Sequence, residues 1–153
     1  MLHLPNDGAP VGAPLEVFLP QGHGPAAIVL ALARAVPALA DRLAAGKLYG
    51  DPAAIVGTND SGDAQKALDV GAHDHMLAAL RLAGVRQVLS EEDPHVATLN
   101  PGGAWDVAID PIDGSGSIGI GAPLGMLFSI LPADPAGFLR TGRAVVASGY
   151  ASF

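Results

Sequence analysis

Asp110, Pro111, Ile112, Asp113, Gly114, Ser115, Gly116 and Ser117 follow one another directly after the apolar run from Trp105 to Ile109. Proline has no N–H for a ladder bond, so regular pairing should end at Asp110. Two carboxylates then leave one strand end three residues apart and can converge on one point. Gly114 and Gly116 free the backbone to turn its N–H groups toward an anion. Carboxylates that hold a cation beside N–H groups that hold a phosphate are the parts of metal-assisted phosphoryl transfer. The same string also reads as an acidic turn in which Gly and Ser serve turn geometry alone.

A second acidic group, Ser90, Glu91, Glu92 and Asp93, follows a short β-like run. Adjacent carboxylates repel unless they are solvated or metal-bound. Two neighbours facing different ways could act as a bridging ligand and a water-activating base. Asp63 and Asp69 sit at and just after an expected helix start, about 120° apart on an ideal helix, so spacing alone does not bring them together. Asp63 could equally be a charge favouring the helix dipole. His73 and His75 are two apart and point to different faces. No helical H-E-x-x-H is present. Hard oxygen donors of this kind select Mg²⁺, with Mn²⁺ as the alternative, over zinc.

Residues 114–119 also match G-x-G-x-x-G, with Asp134 further on as a ribose-binding acid would be. That match is rejected, because the fingerprint needs a helix starting in the glycine turn and residues 119–125 are among the poorest helix formers available. Asp110 and Asp113 would also repel a pyrophosphate.

The charge pattern agrees with a cation site. Asp60 to Asp113 contains ten acids against three bases, while the remainder of the chain balances five acids with five bases. The whole net charge of −7 therefore sits in the middle third, either as a solvated acidic face or as a hard-cation site. The acidic balance argues against nucleic acid and against an anionic membrane surface. With no cysteine, disulfides, thiolate metal sites and cysteine nucleophiles are excluded, as fits a reducing cytosol.

These groups need elements to carry them. Residues 1–25 contain Pro5, Pro10, Pro14, Pro20 and Pro25 with four glycines, the composition of an extended flexible arm. The arm lacks the basic start of a secretory signal, and the apolar run from Ala26 is broken at Arg34. A soluble cytosolic protein is therefore expected. Ile28, Leu32, Val36, Leu39 and Leu43 step by three and four and predict a helix over 26–45, which Pro37 should kink or split. A second helix is predicted over 64–82, with Leu68, Ala72, His75, Ala79 and Leu82 on one face and Gly84 closing it. Residues 57–62 read as turn and cap chemistry. Strand-like runs follow at 87–90, 96–99, 105–110, 124–131 and 143–153. Helices followed by strands predict an α+β fold, with helices layered on one face of a sheet. The last run looks like a strand that stops without a turn, to be covered by another chain or continued by more sequence.

The ordered motifs resemble the class 1 fructose-1,6-bisphosphatases. They are Gly62 to Val70, Ser90-Glu91-Glu92, Asp110 to Ser115, Gly125 to Ile130, and Gly149-Tyr150, in family order over residues 26–153. The run from Asp110 to Gly114 is shared with inositol monophosphatases of the same superfamily, the nearest rival.

The resemblance implies a layered helix-and-sheet sandwich, of which 26–153 would be the N-terminal metal-phosphatase part, incomplete at its C-terminal end. The activity implied is hydrolysis of the 1-phosphate of fructose 1,6-bisphosphate or a related sugar bisphosphate, in gluconeogenesis or the Calvin cycle. Carried over by motif, Glu91 and Asp110 would bridge metals. Asp113 and the Ile112 carbonyl would each bind one of them, and Asp63 would reach a further ion. Glu92 with Asp69 would deprotonate the attacking water, and Asp113, Gly114, Ser115 and Gly116 would meet the substrate. The implied assembly is a homo-oligomer, a tetramer in the family. Gly116-Ser117 stands where the family has Ser-Asn, and Ala67 where it has a second basic residue. The non-enzymatic alternative is an inactive module that associates with a full-length partner.

Overall fold

Alternating apolar runs pair into sheets and stepped apolar residues wind into helices; the two long helices precede the strands of the main sheet as expected, and a small strand pair that was not expected lies between the two helices in the chain. The computed structural model describes residues 14–19, 24–58 and 64–153. The helices are α1 (Leu15–Phe18), α2 (Pro25–Ala44) and α3 (Ala67–Leu82). The strands are β1 (Ile55–Thr58), β2 (Ala64–Lys66), β3 (Gln87–Ser90), β4 (Ala97–Thr98), β5 (Trp105–Asp113), β6 (Gly125–Pro132) and β7 (Ala147–Ser152). β1 and β2 form a small antiparallel pair. The main sheet has five strands in the order β4-β3-β5-β6-β7. Only β3 and β5 run parallel in it.

The helices cover one face of that sheet. Ile28, Leu32, Leu68, Met76 and Leu80 meet Val88, Val107, Ile109, Met126 and Ile130 in a single core. Leu32 is fully buried, and Leu32→Ala should cost about 3 kcal/mol through lost transfer energy and a cavity. Alternation sends Leu89, Leu127 and Tyr150 to the opposite face, where they are exposed. A shallow groove of about 680 Å³ crosses this face, with Glu91 and Asp110 among its lining residues.

Several expectations are corrected. Of the two outcomes expected at Pro37, the split does not occur, since α2 runs unbroken from Pro25 to Ala44: Pro37 removes a single ladder bond, and the buried face on either side holds the helix together. α3 begins at Ala67 because residues 64–66 extend into β2. Its buried face is Leu68, Ala72, Met76 and Leu80, while Leu82 is 90% exposed. The helix end sets that phase. Gly84, at φ 77°, donates to the Arg81 carbonyl and Val85 donates to the Leu80 carbonyl, so Val85 folds back onto Leu80 in a Schellman closure.

β5 does not stop at Asp110. It continues to Asp113, with Asp110 opposite Leu127 and Asp113 opposite Gly125, so one extra residue makes a bulge around the buried Pro111. β7 starts at Ala147, after a 3-10 turn at Gly142–Ala144. Within the arm, the turn of α1 is tied to α2 through Glu16, which accepts from Arg34 at 3.1 Å.

Candidate active site

Parallel pairing brings the carboxyl ends of β3 and β5 to the same rim of the sheet. Ser90 lies opposite Ile109, and the Glu91 N–H donates to the Ile109 carbonyl at 3.0 Å. Glu91 and Glu92 therefore leave β3 where Asp110 and Asp113 leave β5. Asp110 Oδ1 accepts from the Ile112 N–H at 3.0 Å, which fixes the turn at the bulge. Asp69 joins from the first turn of α3.

Asp69 is 4% exposed, and its Oδ2 accepts from the Lys66 N–H at 3.2 Å. Its Oδ1 is buried without a hydrogen-bond partner among the described residues. Burial raises the Asp69 pKa against the opposing pull of Lys66, and Glu91 raises it further. Burial also pushes Glu92 up to about 7, helped by the charges of Asp69 and Glu91, a hydrogen bond to the Glu91 side chain, and Asp110. Asp110 is raised by burial and by repulsion from Glu91. These carboxylates raise one another by mutual repulsion, with Lys66 acting against it on Asp69.

The glycine-rich segment lies beside them. Gly114 has φ 85° in the left-handed region and opens a 3-10 turn at Ser115–Ser117, an arrangement that gathers backbone N–H groups into an anion-binding concavity. A single short turn, not a helix, follows the glycines, in keeping with the rejected dinucleotide match. Lys66 Nζ donates to the Ser115 carbonyl at 2.6 Å, which locks this loop to the start of α3.

Thus Asp69, Glu91, Glu92 and Asp110 come together, with Asp113, Ile112 and the Gly114–Gly116 turn adjoining. Asp63 lies outside the described residues. No three of the described carboxylates and histidines stand close enough to share one ion. The side-chain donors gathered here are nevertheless carboxylate oxygens, the kind that suits a hard divalent cation: Asp110 is raised by burial and by repulsion from Glu91, and nearby Asp69 keeps an unpartnered buried oxygen. His73 and His75 meet different elements, as expected from their spacing. His75 Nε2 is 3.0 Å from the Ala35 carbonyl and His73 Nδ1 is 2.9 Å from Ser90 Oγ. Neither the Lys66–Ser115 bond nor the His73–Ser90 bond was expected. Among the described residues no helix is long and apolar enough to cross a membrane.

Comparison with known proteins follows the same outline. The family described as "Fructose-1-6-bisphosphatase, N-terminal domain" matches residues 26–153. The class 1 fructose-1,6-bisphosphatase of Brucella anthropi is 49% identical over 116 residues, covering 75% of this chain and 34% of that protein. Its counterpart in Brucella ovis is 47% identical over the same length. The chain spans about a third of the length of these curated relatives. Among solved structures, Leishmania major fructose-1,6-bisphosphatase superposes with a TM-score of 0.73 at 22% identity, over 83% of this chain and 44% of that one. A putative sedoheptulose-1,7-bisphosphatase from Toxoplasma gondii gives 0.71 at 26%, over 90% and 45%. With the family match running from α2 to the last strand, the chain belongs to the fructose-1,6-bisphosphatase family, in its N-terminal domain.

Proposed function

We propose that residues 26–153, preceded by the arm, supply the cation- and phosphate-holding part of a Mg²⁺-dependent phosphatase that removes the 1-phosphate of fructose 1,6-bisphosphate. The observation that carries this reading is geometric: parallel pairing and the Glu91 N–H bond to the Ile109 carbonyl bring Glu91 and Glu92 to the end of β5, where Asp110 stands and Asp69 keeps an unpartnered buried oxygen. A carboxylate held beside cation ligands is placed to take a proton from a water among them.

In this reading Glu91, Asp110, Asp113 and the Ile112 carbonyl hold divalent cations, and Asp63 contributes a further ligand. When bound, such cations supply charge stabilisation to the attacking and leaving oxygens. Glu92, with Asp69 beside it, takes the proton of the attacking water as the oxygen–phosphorus bond forms and the bond to the sugar oxygen breaks. Gly114, Ser115 and Gly116 donate N–H groups to the phosphate, with Lys66 holding their turn in place. The family likeness adds a cytosolic setting and homo-oligomeric assembly to the proposal.

The test is phosphate release with Mg²⁺, measured on the complete gene product and on Asp110→Asn with Asp113→Asn. Unchanged turnover in that double variant overturns the assignment. The likeness to a sedoheptulose bisphosphatase makes sedoheptulose 1,7-bisphosphate the second substrate to assay.

A further inference from the structure

Ser90 is only 6% exposed, yet its hydroxyl sits between two elements. Its Oγ accepts from the Glu92 N–H at 3.3 Å and lies 2.9 Å from Nδ1 of His73 on α3. A serine hydroxyl has one proton to donate and two lone pairs. The Glu92 N–H uses a lone pair, so the proton needs an acceptor. Among the described residues, Nδ1 of His73 is the acceptor within reach. If His73 instead donated Nδ1–H to Oγ, the serine proton would have no partner among the described residues, at a cost comparable to a lost hydrogen bond.

We infer that neutral His73 carries its proton on Nε2, accepts from Ser90, and through that hydroxyl fixes the Glu91–Glu92 turn. His73 is thus a positioning residue for Glu92. Ser90 Oγ can rotate about its own bond. With Nδ1 taking its proton, one lone pair faces the Glu92 N–H permanently, and the backbone that carries the base is held against α3. The helix lends rigidity to a turn that otherwise leaves the sheet after the single ladder bond from Glu91 to Ile109.

The catalytic consequence rests on the phosphatase reading; the hydrogen-bond arrangement does not. In the chain, imidazole ¹⁵N shifts at high pH should show Nδ1 unprotonated and Nε2 protonated. His73→Ala should speed amide exchange at Glu92 about tenfold, the size of one buried hydrogen bond. Exchange at Val107 and Ile130 in the sheet core should stay as it was. His73→Asn, whose Oδ1 stands where Nδ1 does, should restore protection, and in a Ser90→Ala background His73→Ala should add nothing.

In the complete gene product, His73→Ala should lower kcat about tenfold with KM unchanged, and Asn should rescue it. A neutral imidazole protonated on Nδ1, or wild-type exchange at Glu92 in His73→Ala, overturns the inference. Loss of protection throughout the sheet would reduce His73 to a merely structural role and overturn it equally. A wild-type protein that releases no phosphate with Mg²⁺ removes the phosphatase reading alone, since the shift and exchange measurements still decide the arrangement.

Discussion

At the start of β5, Asp106 is completely buried between two guanidinium groups. Arg86 grips both its oxygens at 2.8 and 2.6 Å, and Arg140 stands 3.7 Å away. Arg86 also donates to the Asp134 carbonyl, and Arg140 to those of Gly137 and of Pro132, the last residue of β6. Further along the same strand, Asp110 faces Glu91, Glu92 and Asp69, and burial and mutual repulsion raise its pKa. One strand thus carries an ion-paired acid near its start and, at its end, an acid crowded by other carboxylates. Buried charge serves the fold when a counter-charge with matching geometry accompanies it. Without one, it stores an affinity for protons or cations, which is where function is expected.

The difference can be broken most severely at the carboxylate-rich end. Asp110→Asn with Asp113→Asn should cut phosphate release on the order of a thousandfold, since several kcal/mol of charge stabilisation would be lost. Melting of the isolated chain should be unchanged or higher, because repulsion is relieved. The mirror experiment is Asp106→Ala. It strands Arg86 against the sheet and should lower the melting temperature by about 10 °C, as expected for one half of a buried pair. Activity per folded molecule should hold.

A smaller effect comes from pH. Glu92 binds its proton more tightly in the folded chain than in the unfolded one, so the folded state holds more protons between the ordinary glutamate range and about 7. Folding should therefore strengthen as pH falls through that window without divalent cations. Solvent screens this half-buried group, so a shift of roughly 2 °C is expected, measured by thermal melts at pH 8 and pH 5.5. Glu92→Gln should remove its contribution. Catalysis should run oppositely, rising with pH as Glu92 loses its proton, at lower pH than this window because bound divalent cations favour the charged carboxylate. The smallest effect is at the exposed Lys47–Asp51 pair, 2.7 Å apart on the surface. Lys47→Ala should leave melting unchanged, because screening and side-chain entropy cancel such contacts.

The contrast also explains what could be read before any coordinates. Asp110, Asp113, Glu91 and Glu92 were legible because carboxylates crowded at strand ends are unfavourable and therefore conspicuous. The apolar steps of α2 and the alternation of β3, β5 and β6 were legible for the opposite reason, their burial. β1 and β2 were not. Ile55 and Val56 are exposed, and the region is set by backbone bonds from Ala67 to Ala54 and from Leu68 to Pro52, which leave no mark on side-chain pattern. The buried phase of α3 was misplaced because its alanines flatten the contrast between faces, so the closure at Val85 decides it. Lys66 reaches across 49 residues to Ser115, and His73 across 17 to Ser90. Bonds between such distant positions have no signature in local spacing.

The ladder bond from Glu91 to Ile109 places the acid of β3 by reference to β5, not to the chain that follows it. Residues 93–96, between the Glu91–Glu92 turn and β4, can therefore lengthen or shorten while the two carboxyl groups keep their relative position. Asp106 and Asp110 share one side of the pleat about 13 Å apart by strand rise. A single residue inserted between them would swing Asp110 onto the helix side. An insertion scan along the gene should accordingly find a permissive connection next to an intolerant four-residue ruler.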